Sequence, residues 1–170
     1  GKEYDNKAIT RIIANRPGVT DYMVKGWFKS DNSSFTIPVT FVVKPKTPNI
    51  RTDLTRRAGV VTNIEVDNVS EGETVYLYKK EGNNLIPVRD SSQRPISKQV
   101  GKNGVATFEN MKLEPGEYVA KSSVEGNWQD YNGNDQTEVV SDPSENKIAT
   151  DGAPPVVRMV GSTSGYKTSR

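Results

Sequence analysis

The chain contains no cysteine and no histidine. Without cysteine there is no disulfide and no thiolate nucleophile, and zinc loses its commonest ligands. Without histidine the usual general base near neutral pH is missing as well. Apolar residues are scarce, 33% of 170, which fits thin-cored small domains better than one large globule. No apolar run approaches the ~20 residues of a membrane helix, so membrane insertion is not expected. Neither a signal peptide nor an anchoring motif is legible, as expected of a piece of a longer protein. Charge of one sign is lacking too: 23 basic and 21 acidic residues leave a net +2. The signs are interleaved, and the one local basic cluster, Arg51, Arg56 and Arg57, has no aromatic stripe beside it. A nucleic-acid partner is therefore not expected.

What is present is a succession of short, period-two apolar runs with turn chemistry between them. Tyr22–Phe28 and Phe35–Val43 are β-branched and aromatic, and Ser30–Ser34 separates them as a polar hairpin link. Pro38 inside the second run points to an edge strand or a bulge. Ala8–Ala14 reads as a further strand. Lys44-Pro45-Lys46-Thr47-Pro48 reads as a stiff linker. Strand signals then recur at Val60–Val66, Thr74–Tyr78, Leu85–Val88, Val105–Phe108, Tyr118–Val124 and Thr137–Val140. Gly101–Gly104 reads as a hairpin turn, Leu113–Glu117 as a turn, and Asn132–Asp135 as another. Strands at intervals of about 8–12 residues, with no sustained helical period, imply an all-β fold of β-sandwich type. The expected organisation is a β-sandwich-type unit over 1–46, complete or partial, and an immunoglobulin-like sandwich over 47–145. Residues 146–170 read as a linker plus the first strand of a following unit, or as a strand added to the domain beside them.

Several motifs resemble a known family. They are Gly72–Tyr78, Gly101–Phe108, the Leu-Glu-Pro-Gly-Glu-Tyr-Val-Ala run of Leu113–Ala120, and Glu125-Gly126-Asn127-Trp128. Together they resemble the immunoglobulin-like repeats of Gram-positive cell-wall surface proteins, in which a Pro-Gly turn and then a Gly-Asn turn, here Gly126-Asn127, follow the core, and within that class the giant staphylococcal extracellular-matrix-binding proteins. The resemblance implies tandem immunoglobulin-like domains joined by Pro-rich linkers. It also implies a secreted, wall-attached location and a non-enzymatic role as stalk or adhesin. The implied partners are neighbouring repeats of the same chain and a host extracellular-matrix protein, with the module itself a monomer. These motifs are structural, so they specify fold better than function.

The candidate chemistry sits on aromatic and oxygen-bearing residues. Trp128, Tyr131, Tyr76 and Tyr78 are candidates for a protein or carbohydrate platform. Tyr76 and Tyr78 share one strand face and Val75 and Leu77 the other, so one of the two pairs faces outward. Trp128 either contacts a ligand or staples its loop to the end of the sandwich. A carbohydrate platform would make the chain an ancillary binding domain of a secreted enzyme instead. Asp130, Asn132, Asn134 and Asp135 gather oxygen donors of the kind calcium takes, although Asp135 occupies the position where an EF-hand loop needs glycine. No other cofactor is expected. Glu65, Asp67, Glu71 and Glu73 form an acidic strip that reads as a solvated strand face rather than a glycosidase pair. A Lys–Asn isopeptide link has no lysine on the Val60–Val66 strand to start from, which leaves only Lys25 and Lys44 of the first unit. Tyr118, following Pro115-Gly116, reads as a tyrosine corner.

Overall fold

The computed structural model describes residues 16–152. The strand expected at Ala8–Ala14 and the run Val156–Val160 lie outside them. Within them the chain is all-β, without a helix. Its strands in order are β1 (Gly18–Trp27), β2 (Ser34–Val43), β3 (Asn49–Ile50), β4 (Thr62–Asp67), β5 (Thr74–Glu81), β6 (Asn84–Pro87), β7 (Ser97–Gln99), β8 (Ala106–Met111), β9 (Gly116–Gln129), β10 (Asp135–Val140) and β11 (Lys147–Ala149).

Two sheets face one another as a β-sandwich. One runs β3-β4-β8. The other runs β10-β9-β5-β6, with β7 pairing β5 and β11 pairing β9. Alternation decides which side chains fill the space between them. Ile64 and Val66 of β4, Ala106 and Phe108 of β8, Val75 and Leu77 of β5, and Tyr118 and Ala120 of β9 are all buried in one core. Ile50, Leu54, Leu113 and Ala149 close its ends. Ala149 belongs to β11, so the sandwich draws part of its core from beyond residue 145. The Tyr118 hydroxyl donates to the Glu114 carbonyl at 2.7 Å, which is the tyrosine-corner bond. Burial pushes the Tyr118 phenol above its ordinary pKa.

Two expected turns have other roles. Gly101–Gly104 closes with a Gly104 N–H bond to the Gly101 carbonyl at 3.1 Å. However, β7 before it pairs with β5 and β8 after it pairs with β4, so the turn carries the chain from one sheet to the other and is not a hairpin. Positive φ is needed there at Gly104 alone, at 70°, and not at Asn103. Gly126-Asn127 is not a turn either. It lies inside the 14-residue β9, at a register shift against β10.

β1 and β2 form a hairpin in register from Gly18↔Val43 to Trp27↔Ser34. Pro38 lies on β2, which among the described residues pairs only with β1, so its missing N–H sits on an edge strand. β9 is the reason this hairpin has somewhere to dock. Its first half belongs to the sandwich core, while its second half and β10 are touched by β1. A Cβ built on Gly126 would lie 2.7 Å from a Val19 methyl, so only glycine lets the two strands come this close. Val139 is buried on β10 yet stands apart from the central core.

Candidate functional site

A cleft of about 850 Å³ opens between β2 and the β9–β10 hairpin. Thr40, Val42 and Lys44 line one side, and Trp128, Tyr131, Gln136, Glu138, Val139 and Val140 line the other. Alternation along β2 puts Thr40 and Val42 on the same face, and β10 supplies its edge. A second hollow of about 450 Å³ lies along Asn127–Gln129 and Asp135–Thr137, so Trp128 borders both.

Trp128 is half-buried and its indole N–H donates to the Glu138 carbonyl at 2.8 Å. That bond fixes the ring across the register shift and leaves its apolar surface facing the cleft. The staple and the platform readings of Trp128 therefore describe the same side chain. Tyr131 stands fully exposed at the tip of the loop beside it. Of the four aromatic candidates, Trp128 and Tyr131 are brought together. Tyr76 and Tyr78 are half-buried on the outer face of β5, opposite Lys121 and Val119, with Val75 and Leu77 turned into the core. Lys121 and Trp128 are seven positions apart along β9, about 23 Å at roughly 3.3 Å per residue. Lys121 Nζ lies 5.3 Å from the centre of the Tyr78 ring, a cation–π contact within the sheet surface. Burial, and then the charge of Glu138, raise the Tyr78 phenol. The two tyrosines lie apart from Trp128 and Tyr131, with Glu138 of the cleft near enough to Tyr78 to act on its phenol.

The oxygen-rich loop is organised around Asp130. Its Oδ1 accepts the Asn132 and Asn134 backbone N–H groups, both at 2.9 Å, and its Oδ2 accepts the Gln136 amide at 3.2 Å. The Asn134 N–H is the main cause holding the carboxyl below the ordinary aspartate range. Asp135 accepts the Gln129 amide at 3.0 Å. These oxygens hold the turn itself. Among the described residues no three Asp or Glu side chains gather at a metal-binding distance.

The acidic strip divides. Glu65 accepts Arg51 at 2.9 Å, and Asp67 accepts the Asn49 amide at 2.9 Å. Glu73, in contrast, is buried and accepts the Ser122 hydroxyl at 2.6 Å inside the sandwich. Of the first unit's lysines, Lys44 is exposed and ion-paired with Asp142 at 2.9 Å, while Lys25 lies 5.5 Å from the Trp27 ring centre.

Sequence reasoning did not single out Thr40, Val42, Gln136, Val139 or Val140 as site residues. Period-two alternation marks which of them share a face, but the meeting of β2 with β10 depends on Gly126, which looks like a turn in the sequence. No protein-family model, curated protein or solved structure matches this chain.

Proposed function

We propose that this chain is a non-enzymatic structural and adhesive module of a bacterial surface protein. In this reading it is an immunoglobulin-like sandwich within a tandem array, secreted and wall-attached. It serves as stalk and presents the Trp128–Tyr131 cleft to a host extracellular-matrix protein.

One observation carries the reading: the β1–β2 hairpin is fastened to the sandwich rather than tethered. Val19 packs on Gly126, Lys44 pairs with Asp142, and the Asn68 amide donates to the Thr47 carbonyl at 2.8 Å. Pro45 and Pro48 of the connecting segment are both buried. A joint with its prolines buried and its backbone bonded resists bending, and a stalk needs joints of that kind. The motif likeness to wall-protein repeats agrees with it.

The test is surface-plasmon binding to immobilised fibronectin, fibrinogen and collagen, with and without calcium. Saturable binding lost in Trp128→Ala is expected. Failure of the folded, monomeric fragment to bind any of them would remove direct adhesion and leave a stalk. A second reading, an ancillary carbohydrate-binding domain, is favoured by one feature, the fully exposed Tyr131 beside Trp128, because flat exposed rings stack on sugar faces. Binding of a soluble oligosaccharide without any matrix protein would select it.

A further inference from the structure

β10 pairs with β9 on one side and, among the described residues, with no strand on the other. The Ser141 N–H donates to the Ser122 carbonyl at 2.8 Å. In an antiparallel ladder hydrogen-bonded and non-hydrogen-bonded pairs alternate, so the adjoining Val140↔Ser123 pair turns the Val140 N–H and C=O outward. The cleft begins at that edge, since Val140, Val139 and Glu138 all line it. Its volume of about 850 Å³ lies within the range of roughly 300–1,000 Å³ of ligand sites. The register shift at Gln136/Glu138 disrupts pairing at the loop end only, leaving Glu138–Val140 as regular strand, in which the Trp128 indole already occupies the Glu138 carbonyl and Val140 supplies the open groups. An edge strand of this kind is a template for another chain.

The charge along this edge identifies what fits. Glu138 lines the cleft and stands directly opposite Glu125, an unfavourable cross-strand pair. Among the described residues no lysine or arginine forms an ion pair with either glutamate, and Lys44, the cleft's own cation, is held by Asp142. Asp130 adds a second carboxylate to the wall. The rings of Trp128 and Tyr131 beside these carboxylates offer faces to a cation.

We propose that the cleft is a strand-addition site for an extended cationic segment of a partner protein. The segment adds to the free edge of β10 through the Val140 backbone, with Lys or Arg side chains against Glu138 and over Trp128 and Tyr131. This rests on the adhesive reading of the same cleft and names the ligand class for it.

The probes are a capped hexapeptide alternating Lys and Val, its Glu-Val counterpart, and an N-acetylglucosamine tetramer. Each is titrated into isotope-labelled fragment while amide shifts and Trp128 fluorescence are followed in a Trp27→Phe background. Saturable shifts at Thr40, Val42, Val139 and Val140 with the Lys-Val peptide alone are expected. Glu138→Gln is expected to weaken binding about tenfold, the size of one charge-assisted hydrogen bond. Val140→Pro, which removes the outward N–H, is expected to abolish it. Should that variant unfold, Glu138→Lys serves instead and is expected to reverse the preference toward the Glu-Val peptide. Equal response to both peptides, no response to either, or the sugar alone moving these amides overturns the proposal. Capture by an immobilised matrix protein with no Lys-Val response overturns this inference and keeps the adhesive reading. The opposite result keeps the strand site and removes matrix adhesion.

Discussion

Glu73 and Ser122 show how one hydrogen bond lets a carboxyl sit in a small core. Both are buried, and the Ser122 hydroxyl donates to Glu73 at 2.6 Å. A buried acceptor that loses its donor costs about 1–3 kcal/mol, whereas replacing both partners by apolar groups is nearly neutral. Ser122→Ala is therefore expected to lower stability by that amount in urea unfolding, and Glu73→Leu with Ser122→Ala to recover most of it. A double variant as unstable as the sum of its parts would show that the pair is not what holds Glu73 in place. Asp130 makes a different prediction. Its folded-state pKa is depressed, chiefly by the Asn134 N–H. Its contribution is thus present above the unfolded value of about 3.9 and is lost as pH falls through the lower, folded value. The Asn132 and Asn134 amide signals are expected to stay fixed down to pH about 4 and move only below it. In Asp130→Asn that acid step disappears, because the amide oxygen still accepts but does not titrate. Movement centred on the ordinary aspartate value in the native protein would mean the turn bonds are not formed in solution.

At the scale of elements, β9 governs what was legible. Most strands are visible as alternation: Thr74–Tyr78 lies within β5, Phe35–Val43 within β2, and Thr137–Val140 within β10. The two- and three-residue strands β3, β7 and β11 are too short to show a period, so neighbours define them rather than sequence. Gly126-Asn127 shows why turn chemistry misleads. Glycine serves a turn through positive φ and serves a strand through its missing side chain, and one sequence looks the same for both. Here the second applies: a Cβ on Gly126 meets Val19 at 2.7 Å from its methyl and 3.3 Å from its Cβ. Val19 is β-branched and stiff, so it cannot swing aside cheaply. Gly126→Val is expected to cost about 1–3 kcal/mol, as overpacking does, and to loosen the hairpin before the sandwich. Trypsin cleavage at Lys25, faster in the variant while the core stays intact, is the readout. Unchanged cleavage would place the docking energy elsewhere.

For the molecule as a whole, the two-sheet core was readable because each sheet has one wet and one dry face. The candidate site was only half readable. Trp128 and Tyr131 are neighbours in sequence, and the loop alone keeps them together. The far wall comes from β2, about ninety residues earlier, and no local pattern encodes such a meeting. That wall is useful only if the joint is stiff. Three fastenings hold it: Val19 on Gly126, Lys44 with Asp142, and Asn68 with Thr47. The exposed ion pair contributes at most about 1 kcal/mol, and the Asn68 bond is exposed as well, so the apolar contact at Gly126 contributes most. Nitrogen-15 relaxation of β1 and β2 amides is then expected to give one rotational correlation time shared with β5 and β9. Lys44→Ala should leave it shared, and Asn68→Ala combined with Gly126→Val should split it. A hairpin that tumbles separately in the unaltered chain would leave the cleft without a fixed second wall. In that case binding at Trp128 would depend on the loop alone, and substitutions at Thr40 and Val42 would have no effect on it.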